Sequence, residues 1–298
     1  MQICCTSDFC GGTGDFISRI HEIAEAGFTH YFWCHHWNTD FIYTAPEYAE
    51  ILKAQKEAGI KLLDIHGSRG CEKCWFSTTE YIRKAGVELV KNRIEMLTAL
   101  EGEGVIVMHA PYTEFYPEPI AETKAAETRK LVRIQHEAVL RSLDDLMPVL
   151  EKHNTRIAIE NLINDDWGLM NNYLDRYPAE RLGICYDCGH ANIHGNRMAE
   201  MEKRKSRLIA THLHDNNGQG DQHKPVFTES IDFDAVANLI ASSSYKNPPS
   251  FELSMRNTPF WDAGKANPLE QTAESRKAFL KDAYQGCLKL AKMIEAAR

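Results

Sequence analysis

RIAIENLINDDWGLMNNYLDRYPAERLGICYDCGH, residues 156–190, holds two short apolar runs that each end in a carboxylate, with a helix-spaced segment between them. RIAIE (156–160) closes on Glu160 and LGICYD (182–187) on Asp187, while LMNNYLDRY between them has apolar residues at three and four spacings. Runs this uniformly apolar belong to strands buried on both faces, as in a parallel sheet covered by helices.

The same alternation extends in both directions. Strand-like runs are QICCTS (2–7), HYFWC (30–34), KLLDIH (61–66), VIVMH (105–109), LIATHLH (208–214) and SFELS (250–254), which with the first two make eight. Amphipathic stretches separate them, from DFISRIHEIAEAG to the final ESRKAFLKDAYQGCLKLAKMIEAA, and Ala-Gly or Glu-Gly closes three of these as a C-cap. Eight strand–helix units in 298 residues predict a single (β/α)8 TIM barrel, one domain over 1–298. Gly11-Gly-Thr-Gly14 follows the first strand without the spacing of a dinucleotide-binding turn, so it reads as a flexible loop.

Composition removes several function classes. No apolar run approaches the roughly 18 residues of a membrane span. A net charge of −8 argues against a protein that lives on nucleic acid. MQICCTSDF has no basic segment followed by a long apolar one, so the expected compartment is the cytoplasm. Nine dispersed cysteines read as reduced thiols, and neither Cys71/Cys74 nor Cys185/Cys188 is read as a metal or redox pair.

Strands 3 to 8 all finish in a side chain able to ligate a metal: His66, His109, Glu160, Asp187, His212 with His214, and Glu252. In a barrel all strand carboxyl ends meet on one face, where active sites are built. Taken alone, any one of these residues is more often a cap or turn residue. Six consecutive strands ending this way is a different matter. Clustered carboxylates without Lys or Arg partners call for a cation, and imidazole with carboxylate suits Zn²⁺ or Mn²⁺, with enough donors for one to three ions.

VMHAPY, IAIEN, YDCGH, HLHDN followed by DQH, and FELS carry a resemblance over nearly the whole chain to the xylose isomerase-like TIM barrel superfamily, which includes sugar isomerases, ketose 3-epimerases and the endonuclease IV family. The resemblance implies a shared metal site of Glu160, Asp187, His212 and Glu252, with His190 added by YDCGH. Spacing does not rank His212 against His214, which lie on one strand face; the family pattern favours His212 and leaves His214 as a substrate contact. Similarity to endonuclease IV-like members implies that His66, His109, Asp221 and His223 hold additional ions, so that 209–225 is a site-closing loop. After His223 the chain runs KPVFTESIDF, where the nuclease-type members and many sugar enzymes carry Gly-Glu-Gly.

The expected mouth loops are poor in Lys and Arg and rich in aromatics: Trp37, Trp75, Trp167 and Trp261, with Tyr112, Phe115 and Tyr116. Aromatic walls with a few polar groups suit a small polyol. The expected function is therefore a divalent-metal-dependent isomerase or epimerase of a sugar, cyclitol or related polyol. Glu160 and Glu252 form the acid/base pair, and His190, His214, Trp37, Trp75, Trp167 and Arg256 contact substrate. His35 and His36 end strand 2 with no assigned role. The alternatives are an endonuclease IV-like zinc phosphodiester hydrolase and a lyase or dehydratase on an oxidised sugar. The resemblance also implies a homo-oligomer.

Overall fold

The computed structural model describes all residues except 12–13, 112–120, 164–166, 194–196, 266 and 268–269. Tyr112, Phe115, Tyr116 and the middle of the Gly11–Gly14 loop thus lie outside the described residues.

Strands β1 (Cys4–Thr6), β2 (His30–Trp33), β3 (Lys61–His66), β4 (Ile106–His109), β5 (Ile157–Glu160), β6 (Leu182–Asp187), β7 (Leu208–His212) and β8 (Ser250–Phe251) run parallel in the order 7-6-5-4-3-2-1-8. The ring closes between β7 and β8, where Leu213 N donates to Ser250 O at 2.9 Å and Glu252 N to Leu213 O at 3.2 Å. The protein is a single (β/α)8 TIM barrel. Helices α1 (Phe16–Glu25), α2 (Ala45–Ala58), α3 (Glu80–Ala99), α4 (Ala121–Lys152), α5 (Trp167–Arg176), α6 (Cys188–Asn192), α7 (Met198–Glu202), α8 (Phe233–Ala241) and α9 (Ala273–Ala297) complete the chain.

Local chemistry sets the helix ends. Asp15, Asp187, Asp232 and Thr272 cap α1, α6, α8 and α9 by accepting from backbone N–H groups of the first turn. Gly59 ends α2 in the left-handed conformation expected of Ala-Gly, with φ 67°. At the end of α3 that conformation falls on Glu101 (φ 57°) instead of the neighbouring glycine. Gly102 is needed there for proximity, because a Cβ on it would come within 2.3 Å of Leu97.

The main apolar core lies between strands and helices, from Ile3 and Tyr31 through Ile157 and Ile184 to Phe279 and Leu290. Two smaller buried clusters are separate from it: Val105, Val107, Ala158, Cys185, Ile209 and Ala210, and Cys4, Phe32, Cys34 and Leu63. Phe32 lies 4.7 Å from the His212 ring, centroid to centroid, so the second cluster floors the polar site. No described helix is long and apolar enough to cross a membrane.

Candidate active site

Strand register brings the ionisable residues together. His109 pairs with Glu160 and Asp187 with His212 across neighbouring strands, so each pair faces the same way at one height. Glu160 lies opposite Cys185, two residues before Asp187, which places Glu160 and Asp187 on the same inner face of the barrel.

Glu160, about 1% exposed, is the hub. Its Oε2 lies 3.2 Å from His109 Nε2, 3.2 Å from His212 Nδ1 and 3.9 Å from His66 Nε2, while Oε1 lies 3.2 Å from His190 Nδ1. Glu252 Oε2 approaches the same His212 Nδ1 to 3.0 Å. Donor atoms of Glu160, Asp187, His212 and Glu252 all fall within 4.8 Å of one another, as do those of His66, His109 and Glu160, and those of His214, Asp221 and His223. His190 reaches the third group through Nε2, 3.2 Å from Asp221 Oδ2.

The two histidines of HLHDN are now distinguishable. His212 stands between the two glutamates, and neither of its ring nitrogens finds a hydrogen-bond partner. His214 is fully buried behind Asp187, with Nε2 3.2 Å from both carboxylate oxygens, and its ring stacks on His223 at 4.2 Å. Gly189 makes room for it, since a Cβ there would meet the His214 ring at 1.9 Å. His214 does not line the cavity.

The loop after β7 is built around Asp215, whose carboxylate accepts from the backbone N–H groups of Asn216, Thr228, Glu229 and Ile231. The KPVFTES segment thus folds back onto Asp215. His223 sits at φ 48°, an uncommon conformation for a side-chain-bearing residue, with its O accepting from Ser254 N and its Nδ1 3.1 Å from Glu252 O. This positions Nε2 at 2.9 Å from Asp221.

A cavity of about 360 Å³ opens over these groups, lined by Asp8, Gly11, Cys34, Trp37, His66, His109, Glu160, His190, Asp221, His223 and Glu252, and by Leu253, Ser254 and Arg256 after β8. Trp37 covers the two histidines of β3 and β4, with ring centroids 5.0 Å from His66 and 5.3 Å from His109. Trp75 is fully buried and donates to His109 O at 3.1 Å, so it buttresses β4 instead of walling the cavity. Trp167 lies under the Arg204 guanidinium, outside the cavity lining. Trp261 stands beneath Arg256, 5.5 Å from guanidinium to ring. His35 is buried against Phe16 and Trp33, and His36 stacks on Phe41; neither reaches the cavity.

Sequence reasoning missed Asp8 and Cys34. Asp8 directly follows the first strand run, the position that supplies the functional candidates elsewhere, so the signal was present. Cys185 also adjoins Glu160 and His212, and burial drives its thiol well above the ordinary range.

Charge in the site is balanced by pairing. Burial opposes ionisation of Glu252, yet His212 and His223 hold it at about 2. Burial likewise opposes the charge on Glu160, and His212 and His109 bring it well below the carboxylate range. Burial pushes His66 down to about 4, with His109 adding to the effect. His223 is raised to about 10 against burial, because Asp221 faces it. Burial raises the Asp8 carboxyl, with the Thr6 hydrogen bond opposing.

These residues fit a divalent cation. His212 Nδ1 and Glu160 Oε2 are buried without a hydrogen-bond partner, and four donors surround one point. Arg256 is the one Lys or Arg among the described residues that lines the cavity.

The fold and site define an α/β barrel with a His/carboxylate centre at its strand carboxyl ends. The chain belongs to the xylose isomerase-like TIM barrel family, whose model matches residues 20–283. It is 29% identical to the uncharacterized protein y4fM of Sinorhizobium fredii (strain NBRC 101917 / NGR234), covering 93% of this chain and 88% of that one. Among solved structures it resembles a D-tagatose 3-epimerase-like protein, with TM-score 0.71, 19% identity and 98% of both chains covered. It also resembles the IolI protein crystallised with a bound zinc atom, with TM-score 0.67, 14% identity, and 100% of this chain and 99% of that one covered.

Proposed function

We propose that the protein is a divalent-metal-dependent isomerase or epimerase of a sugar, cyclitol or related polyol. The observation that carries this reading is the placement of buried Glu160, from β5, and partly buried Glu252, just after β8, on one histidine nitrogen at the base of a cavity of about 360 Å³. That volume lies within the usual range for small-ligand sites. The family and the epimerase-like neighbour add support.

Glu160, Asp187, His212 and Glu252 would hold the ion, which when bound supplies Lewis-acid polarisation of a carbonyl and its neighbouring hydroxyl. Glu160 and Glu252 approach from strands three apart in the barrel, so they reach a bound carbon from different sides. One removes the carbon-bound proton and the other returns one to the opposite face. Trp37 offers an apolar wall over His66 and His109, and His190, held by Asn161 O at 2.9 Å, presents its other nitrogen toward Asp221 and the cavity. Arg256, at the rim, is a further substrate contact.

Incubation of the manganese-loaded chain in deuterated water with free ketohexoses and cyclitol ketones tests this. Deuterium should enter the carbon next to the carbonyl, and Glu160→Gln and Glu252→Gln should each stop it. Absence of exchange across that panel, with cleavage of abasic DNA, would replace the reading by a phosphodiester hydrolase. The hydrolase is the second reading because His66, His109, Asp221 and His223 join the same centre and could hold further ions.

A further inference from the structure

Asp8 is the one cavity-lining carboxylate that belongs to none of the donor clusters among the described residues. It follows β1, which lies between β8 and β2 and, four strands round the ring, opposite the Glu160 strand. Cys34 contacts both Asp8 and Glu252, its Sγ 4.0 Å from Glu252 Oε1, so a ligand between Glu160 and Glu252 meets Asp8 on its Glu252 side. The residue is held in place: Thr6 Oγ1 donates to its Oδ1 at 2.6 Å, and Met255 N donates to Phe9 O at 2.8 Å, tying this turn to the loop after β8.

No salt bridge joins Asp8 to a described Lys or Arg. Arg256, the one Lys or Arg on the lining among the described residues, is exposed and held over Trp261. With His223 as its charged neighbour and no Lys or Arg partner, the Asp8 carboxylate keeps acceptor capacity that a sugar hydroxyl fills and a phosphate ester does not. A phosphate in the same place would also set its charge against Asp8.

We propose that Asp8 is a specificity-determining residue, accepting hydrogen bonds from substrate hydroxyl groups on the Glu252 side of the cavity and selecting an uncharged polyol over its phosphate ester. This rests on the isomerase or epimerase reading above and narrows its substrate class.

The test is calorimetric binding of D-fructose, D-tagatose and their 6-phosphates to the manganese-loaded full chain and to Asp8→Ala, with elemental analysis confirming metal content. The wild type should bind the free sugars at least about tenfold tighter than the esters, and Asp8→Ala should shrink that preference by about tenfold with its metal retained. If Asp8→Ala does not fold, the near-isosteric Asp8→Asn gives the same comparison. Equal or tighter binding of the esters, or a preference unchanged by substitution, overturns the role of Asp8 and leaves the sugar enzyme standing. Binding of neither free sugar nor ester overturns both.

Discussion

The two halves of the barrel end their strands differently. From β5 to β8 the terminal residues are Glu160, Asp187, His212 and Glu252, three carboxylates and one histidine whose donors converge within 4.8 Å. From β1 to β4 they are Asp8, Cys34, His66 and His109, a mixed set roofed by Trp37. The second half concentrates negative charge around one point, which suits an ion. The first half surrounds the space beside that point with aromatic and hydrogen-bonding groups and a single carboxylate, which suits a ligand. Glu160 and His109 pair where the halves meet.

Removing the hub should erase the difference. Glu160→Gln deletes a charge shared by three donor clusters in a fully buried position, so we expect loss of the ion on elemental analysis and a fall in turnover of roughly 10³-fold or more. Retention of stoichiometric metal would move the centre elsewhere. Next in size is the paired substitution His66→Ala with His109→Ala. If the division between halves holds, one ion stays and turnover falls by about 10- to 100-fold. Loss of a second or third ion in this variant would instead make the first half part of a polynuclear centre and favour the hydrolase.

The division was legible in the sequence wherever backbone geometry alone decides orientation. KLLDIH and LGICYD match β3 and β6 residue for residue, and the alternation of strand faces carries Glu160, Asp187 and His212 inward with no further information. Loop aromatics gave no such guide. Trp37 and Trp75 both follow strands in polar loops, yet one ring covers two histidines and the other is swallowed by the core, where Gly86 lets the backbone of Cys74 and Trp75 press against α3. The five-residue α6 was also missed, because a single turn has no periodicity; its N-cap, Asp187, is also a member of the four-donor cluster.

Trp37→Ala probes the ligand half without touching a donor. The expected result is unchanged metal content with KM raised by about tenfold and kcat altered less, as for loss of binding common to ground and transition states. A fall in kcat with KM unchanged would show that the ring acts by excluding water from the chemistry.

The smallest effect expected concerns the floor shared by both halves. Asp64, two residues before His66 and about 1% exposed, accepts from Val105 N at 2.7 Å, and burial raises its carboxyl from 3.8 to about 6. Below pH about 4 the group is protonated in folded and unfolded chains alike and costs nothing. Between about 4 and 6 the unfolded chain ionises first, so stability falls as pH rises, and above about 6 the penalty is constant at no more than about 3 kcal/mol. Asp64→Asn should remove that slope, so the difference in urea midpoint between variant and wild type grows from pH 4 to 6 and then levels. A difference independent of pH would mean that Asp64 is ionised in the folded barrel throughout, its charge carried by the histidine cluster above it.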